Sequence, residues 1–232
     1  MKKVYKSATS VLLFFLLTTS FATGQENRRY LSLRFSVPVF KSYGLEHDND
    51  FANFVNPGEG TDFSLKSFSG MGSVNIYFYE KIFAFGGYGR EVLLSDEIDL
   101  DYIPFVTDEV LEINYDTKYF QAGIGYLAVA EGITELSLTG AIVWAESKRW
   151  TTFTDKNATG TKLDETARKG KGTGGRIGID LQFNLNPQFA LGLNPVYQFL
   201  EVTDFELDGV TEPNFIADFT GVKIYVYLAL SF

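Results

Sequence analysis

Counting back in twos from Phe232 gives Leu230, Leu228, Val226, Ile224 and Val222, all apolar. The intervening Ser231, Ala229, Tyr227, Tyr225 and Lys223 are smaller or more polar. Alternation of this length predicts a strand over 222–232 with one apolar and one mixed face. Seven further segments share the period. The first, 30–40, sets Leu31, Leu33, Phe35, Val37 and Val39 against Ser32, Arg34 and Ser36. The second, 68–79, sets Val74, Ile76 and Phe78 against Ser73, Asn75 and Tyr77. In the third, 82–94, Gly86, Gly87 and Gly89 blur the phase. The fourth (111–129) carries Phe120, Ala122, Ile124 and Tyr126 on its apolar face, and the fifth (134–145) carries Leu136, Leu138, Ile142 and Trp144. The sixth, 175–185, opposes Ile177, Ile179, Leu181 and Phe183 to Arg176, Asp180, Gln182 and Asn184. In the seventh, 189–200, Pro195 predicts a bulge or a nearby strand end.

The connections alternate as well. Those after the second, fourth and sixth segments span a few residues, as at Glu80-Lys81 and Asn186-Pro187, while the others are long and charged. Short turns at one end and long loops at the other are the signature of a membrane barrel. A soluble up-and-down barrel has polar outer faces instead. Here every segment pairs its more apolar face with a second face that holds Arg34, Arg176, Asp180 and Lys223. The expected fold is therefore all-β: a single eight-stranded antiparallel up-and-down transmembrane β-barrel.

The N-terminus changes the picture further. Lys2, Lys3 and Lys6 precede an apolar run over 11–17 and a small-residue stretch, with Ala22 and Gly24 at −3 and −1 of a cleavage site. This is the layout of a secretory signal peptide over 1–24, leaving a mature domain over 25–232. No later stretch reaches the ~18 apolar residues of a spanning helix. Removing three lysines and no acid takes the net charge of −9 to −12, which argues against a nucleic-acid partner. Aromatic residues make up 16% of the chain, enough for interfacial girdles. With no cysteine, disulfides, thiolate metal sites and lipoprotein anchoring are excluded.

The apolar alternation ending on Phe232 resembles the C-terminal signature of bacterial outer-membrane barrels. The leader, even strand count and alternating connections resemble the OmpA/OmpX-type small barrels over 25–232. That resemblance implies an outer-membrane location, export by the signal peptide, a monomer, contact with lipid and lipopolysaccharide, and reading of Phe232 by the barrel assembly machinery. It carries no catalytic residue and no cofactor.

An eight-stranded barrel is just wide enough for side chains to fill, so its inward charges must pair. First and last strands are neighbours in a closed barrel, which predicts Arg34 near Lys223. Asp180 and Glu135 are the candidate acids, with Arg176 completing a structural lumen network. A proton or ion path is the sharper alternative. Of the four long loops, the first, second and fourth are acidic. The third carries Lys148, Arg149, Lys156, Lys162, Arg168, Lys169 and Lys171. Basic residues just above the outer rim are placed to meet lipid phosphates.

Asp155-x-Asn157-x-Thr159-Gly160 imitates the start of a calcium loop, but the twelfth position holds Thr166. Ser95 and Asp96 with the one histidine, His47, make an acyl-transfer constellation conceivable, without a nucleophile motif. The expected function is a structural or surface-interaction role through the loops. A narrow channel or hydrophobic-solute conduit, and a lipid A-modifying enzyme, are the alternatives.

Overall fold

A computed structural model describes residues 30–43, 45, 68–79, 81–94, 98–99, 109–155, 161–207, 209–212 and 215–232. The described residues form twelve strands: β1 (Leu31–Tyr43), β2 (Phe68–Tyr79), β3 (Ile82–Leu94), β4 (Ile98–Asp99), β5 (Glu109–Glu131), β6 (Thr134–Asp155), β7 (Thr161–Asn184), β8 (Phe189–Phe199), β9 (Glu201–Leu207), β10 (Val210–Glu212), β11 (Ala217–Asp218) and β12 (Gly221–Ser231). Eight of them, β1, β2, β3, β5, β6, β7, β8 and β12, pair antiparallel with their neighbours. β12 pairs with both β8 and β1, so the sheet closes into a barrel. Closure leaves no free edge among the described barrel strands, the condition for a sheet to sit in lipid.

The facing follows the alternation. Phe35, Ile76, Phe120, Ile124, Leu138, Ile142, Ile177, Ile179, Leu193 and Leu228 are exposed on the outside. Ser32, Arg34, Ser36, Asn75, Gln121, Asp180, Gln182 and Lys223 are buried inside. β8 and β12 are each 11 residues long, which suits a tilted spanning strand of about 9–11 residues.

The third strand, whose phase the glycines hid, turns Phe83, Gly89, Glu91 and Leu93 inward. A bulge between Tyr77 and Tyr79 shifts the β2–β3 register by one residue. Because the side-chain period is two, that shift exchanges the faces of the whole strand. A bulge-free hairpin drawn from the sequence would have sent Glu91 outward.

Two expectations are corrected. The third long loop is mostly strand: β6 runs on to Asp155 and β7 begins at Thr161, so the connection is 156–160. The wall continues beyond the spanning region because both faces there are polar, which erases the apolar period without removing the ladder. Of the calcium-loop match, Asn157, Thr159 and Gly160 lie outside the described residues, while Asp155 ends β6 and Thr161 begins β7. Second, Pro195 makes no bulge. The β7–β8 register is unchanged on either side of it, but no bridge forms at Ile179 and Asp180.

Ile179 lies opposite Pro195, which has no N–H to give. The Asn194 side chain repairs the loss: its Nδ2 donates to the Ile179 carbonyl at 2.9 Å. In lipid an unsatisfied carbonyl is costly. Asn194→Ala is therefore expected to destabilise the refolded barrel by about 1–3 kcal/mol, and far less in a Pro195→Val background, where the backbone donor returns. Equal costs in both backgrounds, measured by urea unfolding, would remove this role from Asn194.

Beyond Phe199 the chain steps inward, and β9 pairs with the upper part of β7. The step needs a glycine: a Cβ on Gly174 would stand 1.9 Å from the Phe199 carbonyl oxygen. It carries Leu200, Val202 and Phe205 into an apolar core with Leu93, Leu111, Ile113, Tyr115 and Phe219. This core sits above the polar lumen, at the end of the long connections. At the opposite end lie the short turns, where Asn186 Oδ1 accepts from the Gln188 and Phe189 amides, both at 2.9 Å.

Candidate functional site

The inner wall is polar at three levels, the upper two joining strands from opposite ends of the chain. Nearest the short turns, β6 and β7 bring Glu135 to Gln182 and Asn184. Asn184 Nδ2 donates to Glu135 Oε1 at 2.7 Å, and Gln182 Nε2 to Oε2 at 3.2 Å.

Above it, Arg34 from β1 crosses the lumen to Asp180 on β7 as an ion pair. Its Nη2 donates to Gln182 Oε1 at 3.0 Å. The Asn75 amide, turned to present its oxygen, accepts from Arg34 Nε at 3.0 Å. Tyr227 donates its hydroxyl to the other Asp180 oxygen at 2.5 Å. The Arg34 guanidinium lies 4.6 Å from the centre of the same tyrosine ring. The ring lies over Gly192, where a Cβ would stand 2.1 Å from it, so glycine at this point is what lets the hydroxyl reach Asp180. Arg34 and Asp180 are 9% and 1% exposed; at that burial each charge depends on its partner.

A third level is centred on Glu91. Lys223 Nζ donates to its Oε2 at 3.1 Å, and Lys41 Nζ lies 2.8 Å from Oε1. Ser69 also donates to Oε1, at 3.3 Å. Between the second and third levels, Arg176 Nη1 donates to Gln121 Oε1 at 2.7 Å. The Arg176 guanidinium lies 4.6 Å from the centre of the Tyr225 ring.

Arg34, Asp180, Arg176 and Lys223 thus all face the lumen, but they do not form one cluster. Arg34 stands opposite Ala229, while Lys223 stands opposite Lys41, so the expected Arg34–Lys223 approach is corrected to two separate levels. The strand tilt and the stagger of a closed barrel set that offset. Glu91, the acid that Lys223 uses, was missed with the phase of the third strand. Lys41 was missed because the β1 register shifts between Pro38 and Phe40, turning it inward.

The outer wall carries a second feature. Tyr88, Phe120 and Trp144 lie side by side across β3, β5 and β6, an aromatic row of the kind that marks a membrane interface. The next outward row is Arg90, Lys118, Glu146 and Lys171, and the one above holds Asp116, Lys148, Lys169 and Glu206. Arg90 grips Asp116 with two hydrogen bonds of 2.8 Å. Lys148 and Lys169, both exposed, face each other as like charges, an unfavourable cross-strand pair. Arg149, expected among this basic group, points inward at 7% exposure and stacks on Phe215. Arg168 pairs with Glu212 on β10 at 2.7 Å, joining the basic third connection to the acidic fourth. His47, Ser95 and Asp96 lie outside the described residues. Phe232 closes the barrel: its carbonyl accepts from the Tyr30 amide at 3.2 Å, and its own N–H donates to the Leu31 carbonyl at 2.9 Å.

The class defined by these features is a closed eight-stranded antiparallel barrel with an apolar outside and a side-chain-filled inside. No family model and no curated protein matches the chain. Among solved structures it is similar to the attachment invasion locus protein Ail of Yersinia pestis, with 13% identity, 89% of this chain and 99% of that one covered, and a TM-score of 0.45. It is also similar to Neisserial surface protein A, at 10% identity, 88% and 96% coverage and a TM-score of 0.45. A major outer membrane protein from Thermus thermophilus matches at 14% identity, 88% and 100% coverage and a TM-score of 0.45.

Proposed function

We propose that this chain is an exported integral outer-membrane barrel with a lumen closed to solutes. Its role is structural or surface-binding, without catalysis, and is carried by the strands and connections beyond the membrane. The observation that carries this reading is the contrast between the two faces. Among the described residues, and apart from Glu131 beside a short turn, no outward strand position below the row of Tyr88, Phe120 and Trp144 is charged. Inside, Arg34 meets Asp180 across the lumen and the apolar core of Leu111, Ile113, Val202 and Phe205 lies above. Exposed apolar area on this scale calls for lipid, and lipid calls for a closed barrel. The short turns, Tyr30 and Phe232 then face the periplasm, and β5, β6 and β7 rise into the outside medium. Phe232, the last lipid-facing residue of the chain, is the element for the assembly machinery to read.

The partner of the outer wall follows from its charge. Arg90, Lys118, Lys148, Lys169 and Lys171 stand directly above the aromatic row, at the depth of lipid phosphates. An anionic headgroup such as that of lipopolysaccharide relieves the Lys148–Lys169 repulsion. Two measurements test the reading. The refolded protein in planar bilayers should give no stable solute conductance. Replacing Lys118, Lys148, Lys169 and Lys171 with Gln should leave folding intact and lower binding to lipopolysaccharide-containing vesicles, most at low salt, because exposed charges are screened within ~10 Å at 0.1 M. A steady conductance that changes with substitutions at Arg34 or Asp180 would replace the closed barrel with a channel. Unchanged vesicle binding would remove the lipid role of the basic rows.

A further inference from the structure

Inside the barrel is a cavity of about 30 Å3 bordered by Arg34, Arg176, Ser73, Asn75, Gln121 and Tyr227, among others. It borders two guanidiniums, and the nearby carboxylate, Asp180, is already bound by Arg34 and Tyr227. Arg176 is 5% exposed. Its Nη1 rests on a neutral amide, Gln121, and its Nη2 has no hydrogen-bond acceptor. Arginine does not shed its proton, so among the described residues this level carries one positive charge more than its acids balance. An unpaired charge at such burial costs several kcal/mol. Water in the cavity would supply an acceptor but no charge.

We propose that the cavity is a binding site for one small monovalent inorganic anion of the halide class, held between Arg176 and Arg34. The volume suits a particle about the size of one or two waters. The lining offers the donors a halide needs: the Arg176 guanidinium, the Ser73 hydroxyl and the amide nitrogen of Gln121. A monovalent ion balances the single excess charge. The site goes beyond the closed-barrel reading, because a bound counter-ion stabilises the lumen without passing through it.

The test is the urea-unfolding equilibrium of the full barrel refolded in a zwitterionic detergent, with chloride exchanged for gluconate at constant ionic strength. Above the dissociation constant, each tenfold increase in chloride should lower the unfolding constant about tenfold. Gln121→Glu places a carboxylate against Arg176 and should abolish the chloride dependence while raising stability in gluconate. Arg176→Met should also respond equally to both salts. Arg90→Gln, on the outer wall, should keep the parent's dependence. Identical unfolding midpoints of the parent in chloride and gluconate would overturn the site, leaving water in the cavity. A chloride effect of parental size in Gln121→Glu would overturn it too, by assigning the effect to the surface or to bulk salt.

Discussion

Asp180→Ala is expected to destabilise the detergent-refolded barrel by about 3–5 kcal/mol, the cost of breaking a buried pair from one side. Arg34 would keep its charge at 9% exposure, with Gln182 and Asn75 as its remaining partners. Tyr227 would lose the acceptor it reaches at 2.5 Å. Replacing both members, Arg34→Met with Asp180→Leu, removes the charge together with its desolvation cost and should recover most of the loss. The comparison is made by urea unfolding of the single and double variants. A double variant no more stable than Asp180→Ala would mean that the pair is not desolvated as a unit, and the closed-lumen reading would lose its main support.

The second large effect is on the outside. Ile179→Arg puts a cation on an outward row about midway between the short turn after Asn184 and the interfacial row at Thr173, and in lipid this should cost about 2–4 kcal/mol. Thr173→Arg, on the same strand and face but beside Trp144 in the interfacial row, should cost about 0–1 kcal/mol. The dependence on depth is the diagnostic, since a soluble barrel would tolerate both substitutions about equally. Equal stabilities of the two variants in lipid bilayers would place the membrane boundary elsewhere or remove it.

What the sequence determined by itself was everything that depends on local periodicity. The facing of β7, β8 and β12 in the spanning region, and of β1 up to Pro38, follows from alternation, since between bulges a strand keeps one phase. The antiparallel order follows from three connections too short for anything but a hairpin. The inward placement of Arg34, Arg176, Asp180 and Lys223 follows from the same parity. Tertiary structure decided who meets whom. The bulge at Phe78 turned Glu91 into the lumen and the shift after Pro38 did the same for Lys41. No composition rule marks a one-residue slip, yet it exchanges every side chain beyond it. Strand stagger then separated Arg34 from Lys223, because closure offsets the levels of neighbouring strands. Above the membrane the polar β6–β7 wall has no apolar period to read, so its strands exist only through their pairing. The inward step of β9 over Gly174 likewise rests on contact between distant segments. Both are properties of the closed sheet as a whole.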